Sequence, residues 1–310
     1  RTDYYVLAVY KQKVWLMALA GCFISMISLY KSIKIIDFNY CFKLLYIGCV
    51  IIMIPSFLFS LTDTNESQRA AGNVALDAIS FGSIGITMSL LCVYKIVNSK
   101  KKYFFKCSFN FILAALGLYI ALRTGSRGPI IGFGLILFFW YAYTKKNGTI
   151  TFSFFLLAVF IFRFLFIKVL AFLSPLTAMR INEALSGQDM SMNAREESYT
   201  WFLERIYNYP LIGSQFARLG NGHYPGYAHS IILDILLGFG IIGLFVFAYV
   251  VIKTFKSFTK SLTIKNNQWV GLIMMQYFLL ALTSGAYYSN PILNCTIILT
   301  LLVSVKKRYI

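Results

Sequence analysis

Apolar blocks of membrane-crossing length dominate this chain and leave it few folds to choose from. The blocks run for 15 to 25 residues, and a helix rising 1.5 Å per residue needs about 17–25 to cross the ~30 Å hydrocarbon core of a bilayer. Backbone groups inside lipid must find partners within their own segment, so the blocks are expected to be helices. They fall at roughly 14–30, 40–61, 74–97, 107–122, 129–144, 149–173, 228–252, 269–286 and 291–305. Composition agrees: 58% of the residues are hydrophobic and 13% charged, against about 45–50% and 25% in soluble domains. The expected fold is an all-α polytopic membrane protein with about nine transmembrane helices. It forms one membrane domain over residues 1–310, with an extracytoplasmic loop at 174–227 that carries a short helix. The chain begins at Arg1, so an N-terminally truncated protein with further helices upstream is expected.

A net charge of +18 raises the question of nucleic acid, and the placement of the charges answers it. Lys31, Lys34, Lys43, the run from Lys95 to Lys106, Lys145, Lys146, the stretch from Lys253 to Lys265 and the tail KKRYI all fall on one side of the membrane. Basic residues in short loops mark the cytoplasmic side, which puts the C-terminus inside and leaves no nucleic-acid surface to propose. Lys11 and Lys13 fall on the other side and fit this orientation poorly. After Lys13 the outer loops contain no lysine, yet they hold Arg69, Arg123, Arg127, Arg180, Arg195, Arg205 and Arg218. A guanidinium grips phosphate bidentately. An interfacial arginine also meets lipid headgroups, but together these residues point to an anionic substrate at the outer face.

Three outer elements carry candidate chemistry. RTGSRGP, residues 123–129, combines glycines for a tight turn with a proline suited to a first helical turn, which sets Arg127 near a helix N-terminus. Within the long loop, Tyr199, Phe202, Leu203 and Ile206 recur at helical spacing. Pro210 and Gly213 end that helix. Its apolar stripe either packs on the membrane domain or lies in the interface. The helical stretch is read from Ala194 to Tyr207 and includes Arg195, with Glu196, Glu197 and Glu204 as alternative ion-pair partners. His229 opens the seventh span, where a neutral imidazole is able to take a proton near physiological pH. On a continuous helix Asp234 points about 140° away from His229, so the two are not read as a dyad. His223 is read as a plain loop residue, and Asp77, Arg163 and Lys168 stay unassigned. Cys22, Cys41, Cys49, Cys92, Cys107 and Cys295 are scattered without ligand spacing, so neither a metal site nor a disulfide framework is expected.

GSRG at 125–128, AREESYTWFLERIYNYPLIG at 194–213, and the H-x10-G run from His229 to Gly240 followed by IIG together resemble the bacterial O-antigen ligase and O-antigen polymerase superfamily. The resemblance covers mainly residues 107–290. Tyr199 stands where that family often has tryptophan, Ser230 follows the histidine where asparagine is common, and PLIGSQF lacks a second glycine. The resemblance implies a GT-C-like membrane glycosyltransferase in the bacterial cytoplasmic (inner) membrane, with its site facing the periplasm or exterior. Its donor would be a glycan on undecaprenyl pyrophosphate and its acceptor a second lipid-linked glycan. By the same resemblance Arg127 and Arg195 hold the pyrophosphate, and His229 accepts the proton of the attacking hydroxyl. Arg123, Arg180, Arg205 and Tyr199 are further candidate contacts for pyrophosphate or glycan. No cofactor or metal is implied. Membrane lipids and a chain-length regulator are the other expected partners.

A polymerase is preferred over a ligase that transfers finished polymer to lipid A–core. A polysaccharide flippase is the competing class. It is disfavoured because the sequence shows neither paired inverted halves nor broken helices at matching positions. A structural or receptor protein leaves the arginine and histidine pattern unexplained.

Overall fold

The computed structural model describes residues 16, 19–20, 24–32, 35–62, 78–99, 104–144, 178–179, 181–183, 186–187, 199–200, 202–214, 218–219, 225–226, 228–284 and 290–306. These residues are almost wholly helical. The long elements are α1 (Ser25–Lys31), α2 (Phe38–Thr62), α3 (Ala78–Asn98), α4 (Phe104–Arg123), α5 (Arg127–Thr144), α6 (Ile231–Thr263), α7 (Gln268–Thr283) and α8 (Pro291–Lys306). A two-residue antiparallel ladder pairs Arg218–Leu219 with Pro225–Gly226. Phe38–Ser60, Ala78–Asn98 and Ile231–Thr263 are each long and apolar enough to cross a membrane, and shorter apolar helices lie at Cys107–Arg123, Gly128–Thr144 and Pro291–Ser304. Large apolar side chains lie exposed along α2 and α6, among them Ile51, Leu58, Phe245 and Tyr249. Such faces belong against lipid, and the chain is a membrane protein.

Helices occupy each expected span from 40–61 to 129–144 and from 228–252 to 291–305, while 149–173 lies outside the described residues. The seventh differs at both ends. It begins at Ile231 rather than at 228 and runs to Thr263 rather than 252. Lys253 and Lys256 end the apolar block but not the helix, because lysine is a good helix former and no breaker intervenes.

The chain forms two compact units, one of residues 1–36, 190–261 and 277–310, the other of residues 37–189 and 262–276. In the second unit α3 is central, with Phe81, Ile86, Met88, Leu90 and Leu91 buried. Its glycines set how closely α4 approaches. A Cβ on Gly85 would overlap the carbonyl of Gly117, and one on Gly117 would overlap that of Gly85. Ser89 Oγ donates across the same seam to Ala114 O at 2.8 Å. The buried amide of Gln276, midway along α7, ties that helix to α3, donating to Ser83 O at 2.8 Å and accepting from Thr87 Oγ1 at 3.1 Å. The first unit uses the same small and polar seams: Ser257 and Ser304 hydroxyls join α6 to α8 at 3.0 Å, and Phe255 meets Phe278 edge-on at 5.3 Å.

Gly85→Ala or Gly117→Ala is therefore expected to destabilise the protein by about 1–3 kcal/mol through overpacking. Gly48→Ala, where nothing lies within 4 Å, should be neutral or stabilising by about 0.5–1 kcal/mol. Thermal unfolding of the detergent-solubilised variants checks both, and equal melting temperatures for Gly85→Ala and Gly48→Ala would refute the close-seam account.

Candidate functional site

The turn before α5 is built against α3. Thr124 Oγ1 donates to Ala121 O at 2.8 Å and accepts from the Ser126 amide at 3.4 Å. A Cβ on Gly82 would come within 2.8 Å of that hydroxyl, so the glycine makes room for the turn. Gly125 has φ +63°, the left-handed geometry glycine adopts most readily. Arg127 is the first residue of α5, and Pro129 lies in its first turn. Arg123 ends α4. Its Nη2 donates to Ser60 O at 3.5 Å, while its Nη1 and the Ser126 hydroxyl are buried without a hydrogen-bond partner among the described residues.

The other compact unit contains the loop helix, the PLIG turn and His229. Residues 202–208 are helical, and Phe202 is fully buried against Ala228 and Leu237, with Tyr199, Ile206 and Leu233 packed around them. The helical stripe is thus narrower than its spacing implies: Leu203 is 57% exposed, because only Phe202 and its flanks meet α6. Arg205 lies one residue before Ile206. Its guanidinium sits 5.0 Å from the Tyr209 ring centroid, and its Nε is buried with no hydrogen-bond partner among the described residues.

Beyond this helix, PLIG inserts into a break in α6. Gly240 has φ +64° and ψ −160°, a region essentially reserved for glycine. The break removes the ordinary helical bond from residue 241 to residue 237, and the loop replaces both halves of it. Ile241 N donates to Pro210 O at 2.8 Å, and Leu237 O accepts from Ser214 N at 2.7 Å. Ile242 N adds a bond to Leu211 O at 3.3 Å. The two chains touch backbone to backbone. A Cβ on Gly213, itself at φ +71°, would lie 2.6 Å from Gly238 C and Phe239 N, and one on Gly240 would overlap Leu211.

His229 is not in the helix. It has φ +52°, and the first helical bond of α6 runs from Asp234 N to Ser230 O at 2.9 Å. With residue 229 outside the helix, the helical angle of about 140° does not set Asp234 apart from His229. The Asp234 carboxylate, fully buried, accepts the Ala228 amide through Oδ1 at 3.3 Å. Sequence reasoning missed this tie. The available signal was an acid in the first turn of a helix, where it faces unpaired amides.

Tyr199, Arg205 and His229 therefore belong to one unit, with Tyr199 packed on the cluster that holds the neighbour of His229. Arg123 and Arg127 belong to the other unit. Arg180 and Arg195 lie outside the described residues. No group of three or more His, Cys, Asp or Glu side chains that could hold a metal ion occurs among the described residues.

Residues 111–248 match the family model Wzy_C, described as O-antigen ligase. The match over these residues supports the O-antigen ligase and polymerase superfamily. The matched stretch contains the RTGSRGP turn, the PLIG turn, His229 and the break at Gly240. The chain has no match among curated proteins.

Gly213→Ala is expected to cost about 1–2 kcal/mol for its positive φ, and Gly240→Ala about 1–3 kcal/mol for its glycine-only backbone, each with a further ~1–3 kcal/mol for the overlap. Gly187→Ala, with φ +73° and nothing within 4 Å, should cost only the first amount. Melting temperatures and yields of folded protein from membranes rank the three. Gly240→Ala melting with Gly187→Ala would show that the loop is not locked into the break.

Proposed function

We propose that the protein is a membrane glycosyltransferase that polymerises undecaprenyl-pyrophosphate-linked repeat units of O-antigen or a related surface polysaccharide. It would work at the outer face of the bacterial inner membrane, with about nine membrane helices in a GT-C-like arrangement. The coarser function, polysaccharide assembly of the O-antigen ligase and polymerase type, follows from the family domain at residues 111–248. The observation that carries the mechanism is the position of His229: a histidine held at positive φ just outside a helix that the long loop is built to grip.

In this scheme the imidazole of His229 accepts the proton of an acceptor sugar hydroxyl. The hydroxyl oxygen forms a bond to the anomeric carbon of the donor as the bond from that carbon to the diphosphate oxygen breaks. Undecaprenyl diphosphate leaves, and direct displacement inverts the anomeric configuration. Arg127 and Arg195 hold the diphosphate and stabilise the charge that develops on it. Arg123, Arg180, Arg205 and Tyr199 contribute further contacts to diphosphate or glycan. With guanidinium groups in this role the reaction proceeds without a metal. Transfer of finished polymer to lipid A–core is the alternative for the same machinery.

Deletion of the gene, with the surface glycan resolved by size, separates the activities. A lost polymerase leaves core carrying a single repeat unit, and a lost ligase leaves bare core while lipid-linked polymer accumulates. A lost flippase traps repeat units inside. Replacing His229, Arg127 or Arg195 by Ala is expected to lower chain elongation on the order of 10²-fold or more, as loss of a general base or an electrostatic donor does, at unchanged protein level. Wild-type chain lengths in all three variants would remove the assignment. Activity on purified lipid-linked donor should persist in EDTA.

A further inference from the structure

Residue 234 holds both flanks of His229. Its carboxylate accepts the amide of Ala228, the residue before the histidine, and its own amide donates to the carbonyl of Ser230, the residue after it. Helical side chains lean toward the N-terminus, which is how an acid in the first turn of α6 reaches back past the helix start. Ala228 and Asp234 are both fully buried, Ala228 beside Phe202 and Leu237. There an amide without an acceptor would be costly. Between the two ties His229 adopts φ +52°, a conformation that disfavours any residue with a Cβ and persists only where its surroundings impose it.

We propose that Asp234 is a positioning residue, whose side-chain oxygen fixes the Ala228 peptide and so sets the backbone of His229 and the direction in which its imidazole leaves the chain. This deepens the site described above and rests on the reading of His229 as the base. In this role the working part of Asp234 is the acceptor oxygen at the Ala228 amide. An amide in its place keeps that oxygen, whereas an isosteric hydrocarbon removes it and frees His229 to relax to negative φ.

The test compares Asp234→Asn, Asp234→Leu and His229→Ala in the full-length protein, expressed in a strain lacking the gene. Surface-glycan chain length is read in cells, and turnover and donor KM are read on purified lipid-linked donor. Asp234→Asn is expected to keep long chains. Asp234→Leu is expected to lose turnover on the order of 10²-fold, the scale of a base misplaced by about 1 Å, with donor KM within about twofold and protein level unchanged. Wild-type turnover in Asp234→Leu would overturn the proposal, and so would an inactive but folded Asp234→Asn. If Asp234→Leu does not accumulate, Asp234→Asn decides alone: long chains support the acceptor role and their loss overturns it. His229→Ala distinguishes the two levels. Long chains in that variant would sink the reading of the base itself, whereas an inactive His229→Ala beside a fully active Asp234→Leu would sink only the role of Asp234.

Discussion

The backbone exchange between the PLIG turn and the break in α6 is the constraint on which the site depends. A helix interrupted in an apolar setting leaves donors and acceptors that lipid does not satisfy. Here Pro210 and Leu211 supply the acceptors and Ser214 the donor. Because the bonds run between main chains at contact distance, neither Gly213 nor Gly240 has room for a side chain. The long loop is thereby fixed in register to one point on α6, whatever its other residues do.

From that point the placement of His229 follows in short steps. The loop helix ends at the PLIG turn, so locking the turn also aims the helix, and Phe202 enters the pocket beside Ala228 and Leu237. That contact buries Ala228, whose amide then needs an acceptor, and Asp234 provides one. The histidine between Ala228 and Ser230 is left with a left-handed backbone. Hydrophobic burial, a satisfied buried amide and a replaced helical bond converge on one residue, and none of them involves its side chain.

Much of this was legible in the sequence as position and little of it as geometry. Block lengths located the long helices, because the bilayer sets a length that composition cannot hide. Pro210 and Gly213 marked the end of the loop helix, and the turn before Arg127 showed in its glycines. The end of α6 at Thr263 was not legible: the lysines after 252 signal the end of an apolar block, and a helix does not have to stop there. Nor was the exit of His229 from the helix, since alanine, histidine and serine carry no breaker signal and the imposing contacts come from residues 202 and 234. The break at Gly240 looked like one more glycine in a motif. Its φ and ψ are set by a loop that meets it across almost thirty residues of sequence, a tertiary demand that local propensity does not encode.

A broken membrane helix also bears on the competing class. In transporters the unwound segment offers its free carbonyls and amides to the cargo. In α6 the amides of Ile241 and Ile242 and the carbonyl of Leu237 are already bonded to the loop, so these groups are not available to a passing ligand. The break serves to anchor an inserted segment beside a histidine. That arrangement suits chemistry performed at a fixed point on one face. A carrier that must release its grip between two access states would have to break three main-chain bonds in an apolar setting and reform them in each cycle, at a cost of several kcal/mol while they stay unpaired.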